Sequence, residues 1–355
     1  MTSDVFTHPW LGGLFGDAQA EAIWSPDRQI AHMLCVEAAY TRALGTVGAV
    51  PQDKATRAAR VIETLEPDIE ALRRATARDG LPVPDLVRQI KIAVGADADA
   101  VHAGMTSQDV LDTALTLTLR ELNTLYADRL NSLSTALANL IERYGAVQIM
   151  GRTRMQAALP ITFSQRASGW SAPITAHAAR LASLRPSVEC LQLGGPVGDR
   201  ATLGPQADAI ASDMAARLGL SNPPAAWHTQ REGLADYAGL LSRITGTLGK
   251  MGQDICLMAQ QGINEMQISG GGGSSAMPHK QNPVLAELLI TLARFNATQV
   301  SAMHHALVHE QDRSGAAWAL EWMILPQMTK ATARSLAATQ DLCARITVTS
   351  GHGGR

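Results

Sequence analysis

Apolar positions along this chain recur at steps of three to five residues over long stretches, the period of a helix with one buried face. Residues 27–48 open the pattern, with Ile30, Met33, Leu34, Glu37, Ala38 and Leu44 on a common stripe. A second helical stretch, 51–79, is richer in Arg and Glu. Asp79-Gly-Leu-Pro-Val-Pro84 breaks it, because proline removes a helical donor and clashes with the preceding turn. Leu111, Leu115, Leu119, Leu122, Leu125, Leu130, Leu133, Leu137 and Leu140 then mark a helix that Gly145 stops. At about 1.5 Å per residue it is roughly 50 Å long. Further long helices are predicted at 162–192, 231–268 and 284–310, with polar loops near 102–109, 146–160, 194–206, 222–232 and 270–283.

Convincing alternation at period two is absent, so the expected fold class is all-α. The pattern divides into a small N-terminal helical domain (1–104), a central bundle of about five long helices (105–340) and a short tail (341–355). Composition agrees: aromatics are only 4%, so Ala, Leu, Ile, Val and 13 Met must build the core, a palette suited to helix-on-helix packing. A net charge of −2 without a basic block argues against nucleic-acid or membrane-surface partners. The four cysteines lie far apart without CxxC spacing and read as buried thiols in a reducing compartment. With MTSDVFTHPW at the N-terminus and no apolar run long enough to span a bilayer, the expectation is cytoplasmic. Metal-ligand spacing, GxGxxG and P-loop are all missing, so neither metal nor cofactor is expected.

Candidate chemistry sits in the loops. Four consecutive glycines, 270–273, would each cost about 0.5–1 kcal/mol relative to alanine in a regular element. The segment to Pro283 therefore reads as a loop, and it carries Ser274, Ser275, Met277, His279, Lys280 and Asn282. Such a stem suggests a lid that delivers a nucleophile or base. A plain linker is the alternative, and the density of functional groups weighs against it. In the loop 102–109, Thr106, Ser107 or Asp109 can cap the following helix, whose N-terminus is equally an anion site. Arg152, Arg154 and Gln156 share a short polar segment, and arginine grips a carboxylate through two parallel hydrogen bonds. His228 and Arg231 open the third long helix, and Arg313 lies in a charged stretch beginning at His309.

Together these segments resemble the three signature regions of the fumarase/aspartase superfamily. Its members include argininosuccinate lyase, adenylosuccinate lyase and 3-carboxy-cis,cis-muconate cycloisomerase. Gly273-Ser-Ser-Ala-Met-Pro-His-Lys-Gln-Asn-Pro283 matches the superfamily's GSSxMPxKxNP string, and the resemblance covers residues 1–340 in order and spacing. His102-Ala-Gly-Met-Thr-Ser-Gln-Asp-Val-Leu-Asp-Thr113 and GAAWALEW at 315–322 are similar to the cycloisomerase (lactonizing enzyme) branch. The resemblance implies a small di- or tricarboxylate substrate and an enolate-like dianion. In the ring-closing direction a substrate carboxylate adds across a double bond to give a muconolactone, in aromatic catabolism. It also implies a homotetramer whose active sites each draw on three chains. By the same matching Ser274 is the proton-transfer serine, Lys280 and Asn282 contact the reacting carboxylate, Thr106 and Ser107 supply anion-binding hydroxyls, and Arg231 grips a distal acid group. Arg152, Gln156, His228, Ser275, Met277 and Arg313 complete the expected substrate contacts.

Two departures from the family pattern stand out. Lyases carry a histidine after Gly-Arg-Thr and cycloisomerases a few residues later, whereas Gly151-Arg-Thr-Arg-Met-Gln-Ala-Ala158 has none. Either the proton donor lies elsewhere, with His102, His228 and His279 as candidates, or general acid help from this loop is dispensable. Arg154 adds a permanent cation, expected to bind an extra anionic substituent such as a 3-carboxylate or a sulfonate in its place. The superfamily's third, C-terminal domain is expected to be short or absent. The competing readings are an adenylosuccinate lyase-like C–N lyase and an inactive helical scaffold. The absent histidine counts against the first, and intact Ser274, Lys280 and Asn282 count against the second.

Overall fold

The computed structural model describes residues 4–273, 277 and 280–350. Two short helices, α1 (Gly12–Phe15) and α2 (Ala18–Ile23), lead into α3 (Pro26–Thr46). Helix α3 starts where Ser25 accepts the Arg28 N–H and Pro26 takes the first turn, a position that needs no donor. The stretch 51–79 is two helices rather than one, α4 (Gln52–Glu63) and α5 (Ile69–Asp79). Pro67 disfavours helical backbone at Glu66, and Asp68 then caps the new start by accepting the Ala71 N–H at 3.0 Å. Next come α6 (Val83–Val94), α7 (Ser107–Tyr144), α8 (Phe163–Val188), α9 (Ala207–Leu218), α10 (Glu232–Ala259), α11 (Val284–His305) and α12 (Ala316–Arg345).

The five long helices α7, α8, α10, α11 and α12 form an up-and-down bundle. Thr113 near the start of α7 donates to the Gln192 carbonyl just beyond α8, so α8 returns to the end where α7 began. Arg313, just before α12, bonds to Gln108 at that same end. At the opposite end the Met150 N–H donates to Glu265, joining the exits of α7 and α10. Leu119, Leu122, Leu130, Leu133, Leu137 and Leu140 of the predicted stripe are fully buried within the bundle core. A second core joins α3 to α6 with α9 and the first turns of α7. Helices α10 and α11 close tightly at Gly252, where a Cβ would lie 2.5 Å from the Ala286 carbonyl oxygen. That contact aligns the two helices joined by the glycine-rich segment. Among the described residues, no helix is long and apolar enough to cross a membrane.

Two further expectations need correction. The segment 146–160 is not a loop but an antiparallel hairpin, β1 (Gln148–Thr153) and β2 (Gln156–Thr162). The third long helix ends at Ala259 rather than near 268; after a turn at Gly262 (φ 90°), β3 (Met266–Ile268) begins. Strand β3 pairs with β6 (Ile346–Val348), and the short strands β4 (Gly272–Gly273) and β5 (Gln281–Asn282) pair across the glycine-rich segment.

His177 on α8 is buried against α10, its Nε2 2.8 Å from the Thr247 hydroxyl. Burial, reinforced by Arg180 and Arg243, pushes its imidazole down to about 4 from 6.5. The folded chain thus refuses a proton that the unfolded chain accepts. This stability is present above pH 6.5 and is lost as pH falls towards 4. His177→Gln should flatten the fall in melting temperature between pH 7 and 5, removing roughly 1–2 kcal/mol of acid sensitivity. Thermal melts at the two pH values check it; parallel slopes for both proteins would refute it.

Candidate active site

The entry end of α7 gathers one set of the expected residues. Asp109, fully buried in the first turn, accepts from four donors: the N–H groups of Thr106 (3.0 Å), Gly194 (2.8 Å) and Gly195 (2.9 Å), and His228 Nε2 (2.9 Å). One carboxylate thereby ties together the loops before α7, after α8 and before α10. Thr106 caps the helix, with Ser107 beside it at the first helical position. His102, in left-handed backbone (φ 59°), contacts the Glu37 carboxylate of α3 through Nδ1 at 2.6 Å. Arg313 lies exposed at this end, held by Gln108 Oε1 at 3.2 Å and the Pro196 carbonyl at 3.0 Å.

Arg231 and His228 are not placed as the resemblance implied. The Arg231 guanidinium is buried between Asp112, which it meets at 2.7 and 3.1 Å, and Glu321, at 2.8 Å from Nε. Trp227 covers its face, with the ring centroid 4.6 Å away. Burial by itself would raise Asp112; the Arg231 charge and hydrogen bonds from Arg231, Gln192 and Trp318 outweigh it and hold that carboxyl below its ordinary range. Nε and both terminal nitrogens are engaged by two buried carboxylates, so the arginine locks α7, α10 and α12 together instead of gripping a substrate acid. His228 likewise turns inward, with Nε2 on Asp109 and Nδ1 buried without a partner among the described residues.

The far end of α7 carries the other set. The β1–β2 hairpin turns at Arg154 and Met155, both with positive φ (48° and 68°), the geometry of a tight hairpin turn. Arg154 and Gln156 project exposed from it. Arg152 is partly committed, its Nη1 meeting Glu265 Oε2 at 2.8 Å. The same buried carboxylate takes the Met150 N–H at 2.8 Å and immediately precedes β3, so Glu265 fixes the hairpin to the stem of the glycine-rich segment. Lys280 is exposed and Asn282 half-buried at the edge of the β4–β5 ladder, with Met277 exposed nearby in sequence. Ser274, Ser275 and His279 lie outside the described residues.

Helix α7 has 38 residues, which puts about 57 Å between these two sets. No side chain bridges that span. A single chain therefore presents two half-sites: hydroxyls, a histidine and a helix N-terminus at one end, and cations and an amide at the other. Among the described residues there is no cluster of three or more His, Cys, Asp or Glu side chains that could hold a metal ion. Sequence reasoning missed Glu37 and Glu265 as parts of the site. Glu37 did leave a signal, since it is an acid on an otherwise apolar helical stripe.

Removing one member of a buried ion cluster typically costs about 3–5 kcal/mol, because its partners stay buried and uncompensated. Arg231→Ala should therefore lower the melting temperature and soluble yield severely, and Arg231→Lys should recover little. Calorimetry checks this; a normally stable Arg231→Ala protein with only a raised KM would return Arg231 to the substrate.

Comparison with known proteins adds the family. The family described as "Lyase" matches residues 10–299. A 3-carboxy-cis,cis-muconate cycloisomerase of Pseudomonas aeruginosa is 37% identical over 333 residues, covering 92% of this chain and 72% of the relative. An N-acetyl-S-(2-succino)cysteine lyase of Enterococcus italicus is 31% identical over 340 residues, covering 95% and 75%. The crystal structure of 3-carboxy-cis,cis-muconate lactonizing enzyme from Pseudomonas putida superposes with a TM-score of 0.92 at 32% identity, over 97% of this chain and 78% of that one. Long antiparallel helices, the signature segments at their ends and these likenesses converge: the chain belongs to the fumarase/aspartase superfamily.

Proposed function

We propose that this protein is a cytoplasmic cycloisomerase closing 3-carboxy-cis,cis-muconate, or its 3-sulfo analogue, to the corresponding muconolactone. The observation that carries the reading is the separation of two complementary half-sites, anion-binding at one end and cationic at the other, in a chain 37% identical to a 3-carboxymuconate cycloisomerase. A substrate with three acid groups needs both. In the reaction one carboxylate oxygen attacks a carbon of the conjugated system, and the electron pair moves onto the far carboxylate as an enolate-like dianion. A proton then reaches the alpha carbon, so the product differs from the substrate by ring closure and one proton taken up.

Lys280 and Asn282 stabilise the carboxylate on which the enolate-like charge develops, and preorganised electrostatics of this kind is usually the largest catalytic term. The Thr106 and Ser107 hydroxyls and the first amides of α7 hold a second carboxylate. Arg154 takes the substituent at position 3, and His102 serves proton transfer with Ser274. Since the half-sites of one chain cannot meet, the working enzyme is a homotetramer in which antiparallel copies bring far ends against entry ends. The hairpin supports this: Met155 and Leu159 are 71% and 74% exposed in the single chain, an apolar surface that a neighbouring copy would cover.

The test is an ultraviolet assay of diene loss with 3-carboxy- and 3-sulfo-cis,cis-muconate, alongside adenylosuccinate and S-(2-succino)cysteine. Rapid diene loss is expected, reduced about 100- to 1,000-fold in Lys280→Ala. Cleavage of a succinyl substrate with no turnover of either muconate would move the protein to the lyases. Arg154→Ala should raise KM for 3-substituted muconates more than for unsubstituted cis,cis-muconate; equal constants on all three would remove Arg154 from the site. Mixed oligomers of Lys280→Ala and His102→Asn chains should regain roughly a quarter of wild-type activity, since some sites draw both wild-type segments from different chains. Failure to regain any would argue for sites built within one chain.

A further inference from the structure

Glu37 occupies a position on α3 where burial offers a carboxylate nothing by itself. Its side chain is fully buried, and its only hydrogen-bond partner among the described residues is His102, at 2.6 Å from Oε1 to Nδ1. The other oxygen, Oε2, is buried without a partner. An acid left this way is expensive to bury unless its one contact matters. The surroundings hold that contact in place. Tyr40 and Thr41, three and four residues beyond Glu37 and so on the same face of α3, donate their hydroxyls to the carbonyls of Ala103 and Ala100. From the other side Thr202 donates to the Gly104 carbonyl at 2.8 Å. His102 itself sits at φ 59°, a left-handed conformation that a residue with a Cβ adopts only when its neighbours enforce it. The loop is thus clamped on both flanks of a strained histidine whose inner nitrogen meets a carboxylate.

The outer edge of the ring is different. The His102 side chain keeps 15% of its surface accessible, and no partner engages its Nε2 among the described residues. From this geometry we infer that Glu37 is the positioning residue of His102. It accepts the Nδ1 proton, fixes the ring orientation, and reserves Nε2 for the substrate. A neutral ring so held presents an Nε2 lone pair, and the protonated ring presents an Nε2–H donor whose positive charge Glu37 balances. Of the other titratable groups, Tyr40 on the same helix lies within electrostatic reach of Glu37 and also of Asp109 on α7, which is itself engaged by His228. The assignment rests on the proposed placement of His102 in the active site, and it adds the group that makes one imidazole nitrogen available in a chain whose 151–158 segment has no histidine.

The experiment is magic-angle-spinning NMR of sedimented, full-length enzyme labelled with 15N-histidine, together with kinetics on the 3-substituted muconates. The His102 signals are assigned by their loss in His102→Asn. In the wild type Nδ1 should carry the proton. Glu37→Gln can accept or donate at Nδ1, so it should populate the Nε2–H tautomer, and kcat should fall about 10- to 100-fold with KM changed far less. Glu37→Asp should restore the Nδ1–H tautomer only in part, and with it part of kcat. If Glu37→Gln does not accumulate as folded protein, Glu37→Asp against wild type carries the comparison, with an intermediate tautomer ratio expected. An unchanged tautomer, or a changed tautomer with unchanged kcat, overturns the inference. Because the tautomer is read without turnover, a wild-type enzyme silent on every muconate would overturn the proposed reaction separately.

Discussion

The rest of this structure depends on the rigid length of its central helices. A 38-residue helix is a rod of about 57 Å, and side chains at its two ends cannot meet around a ligand a few ångströms across. Chemistry built on the turns of such a bundle falls into two groups by construction. The antiparallel course of α7, α8, α10, α11 and α12 alternates the connections between the ends. The turns before α7, α10 and α12 share one end, while the hairpin and the glycine-rich segment share the other. Association of copies is then the natural way to complete a site, and apolar side chains left open on the hairpin fit that need.

Within each end, buried carboxylates decide which charges remain available. Asp109 gathers four donors from three loops, and Asp112 and Glu321 enclose Arg231. These groups are fully desolvated, so their geometry is tightly specified and a single substitution leaves uncompensated charge. At the other end Glu265 binds both a backbone amide of the hairpin and Arg152, coupling the hairpin to the strand that leads into the glycine-rich segment. Arg154, Lys280 and Arg313, by contrast, remain exposed. Some cations thus belong to the scaffold, while others stay accessible to solvent.

Strain marks the same places. Of the six described non-glycine residues with positive φ, His102, Arg154 and Met155 lie in segments linked to the proposed reaction. Each is held by well-bonded neighbours: the α3 hydroxyls and Thr202 around His102, and the β1–β2 ladder around the hairpin turn. Orientation, more than the inventory of residue types, is what this framework supplies to the candidate site.

The sequence by itself determined the long helices α7, α8, α10 and α11, though not the course of α12, and much of the candidate inventory. A buried stripe such as Leu119 to Leu140 repeats with the helical turn, and that period is a local property of the chain. The glycine run with its lysine and asparagine was legible for the same reason. The hairpin at 148–162 was not: its second strand, Gln156-Ala-Ala-Leu-Pro-Ile-Thr162, leaves apolar residues exposed, so period-two alternation never forms. Only the tertiary structure decided which charges are free. Arg231 and Arg154 look alike along the chain, yet one meets Glu321 ninety residues away and the other meets solvent. Glu37 interrupted an apolar stripe in plain view, but its meaning depends on His102, 65 residues on. Periodicity is written between near neighbours, whereas pairing of buried charges is settled by contacts that exist only after the helices have packed.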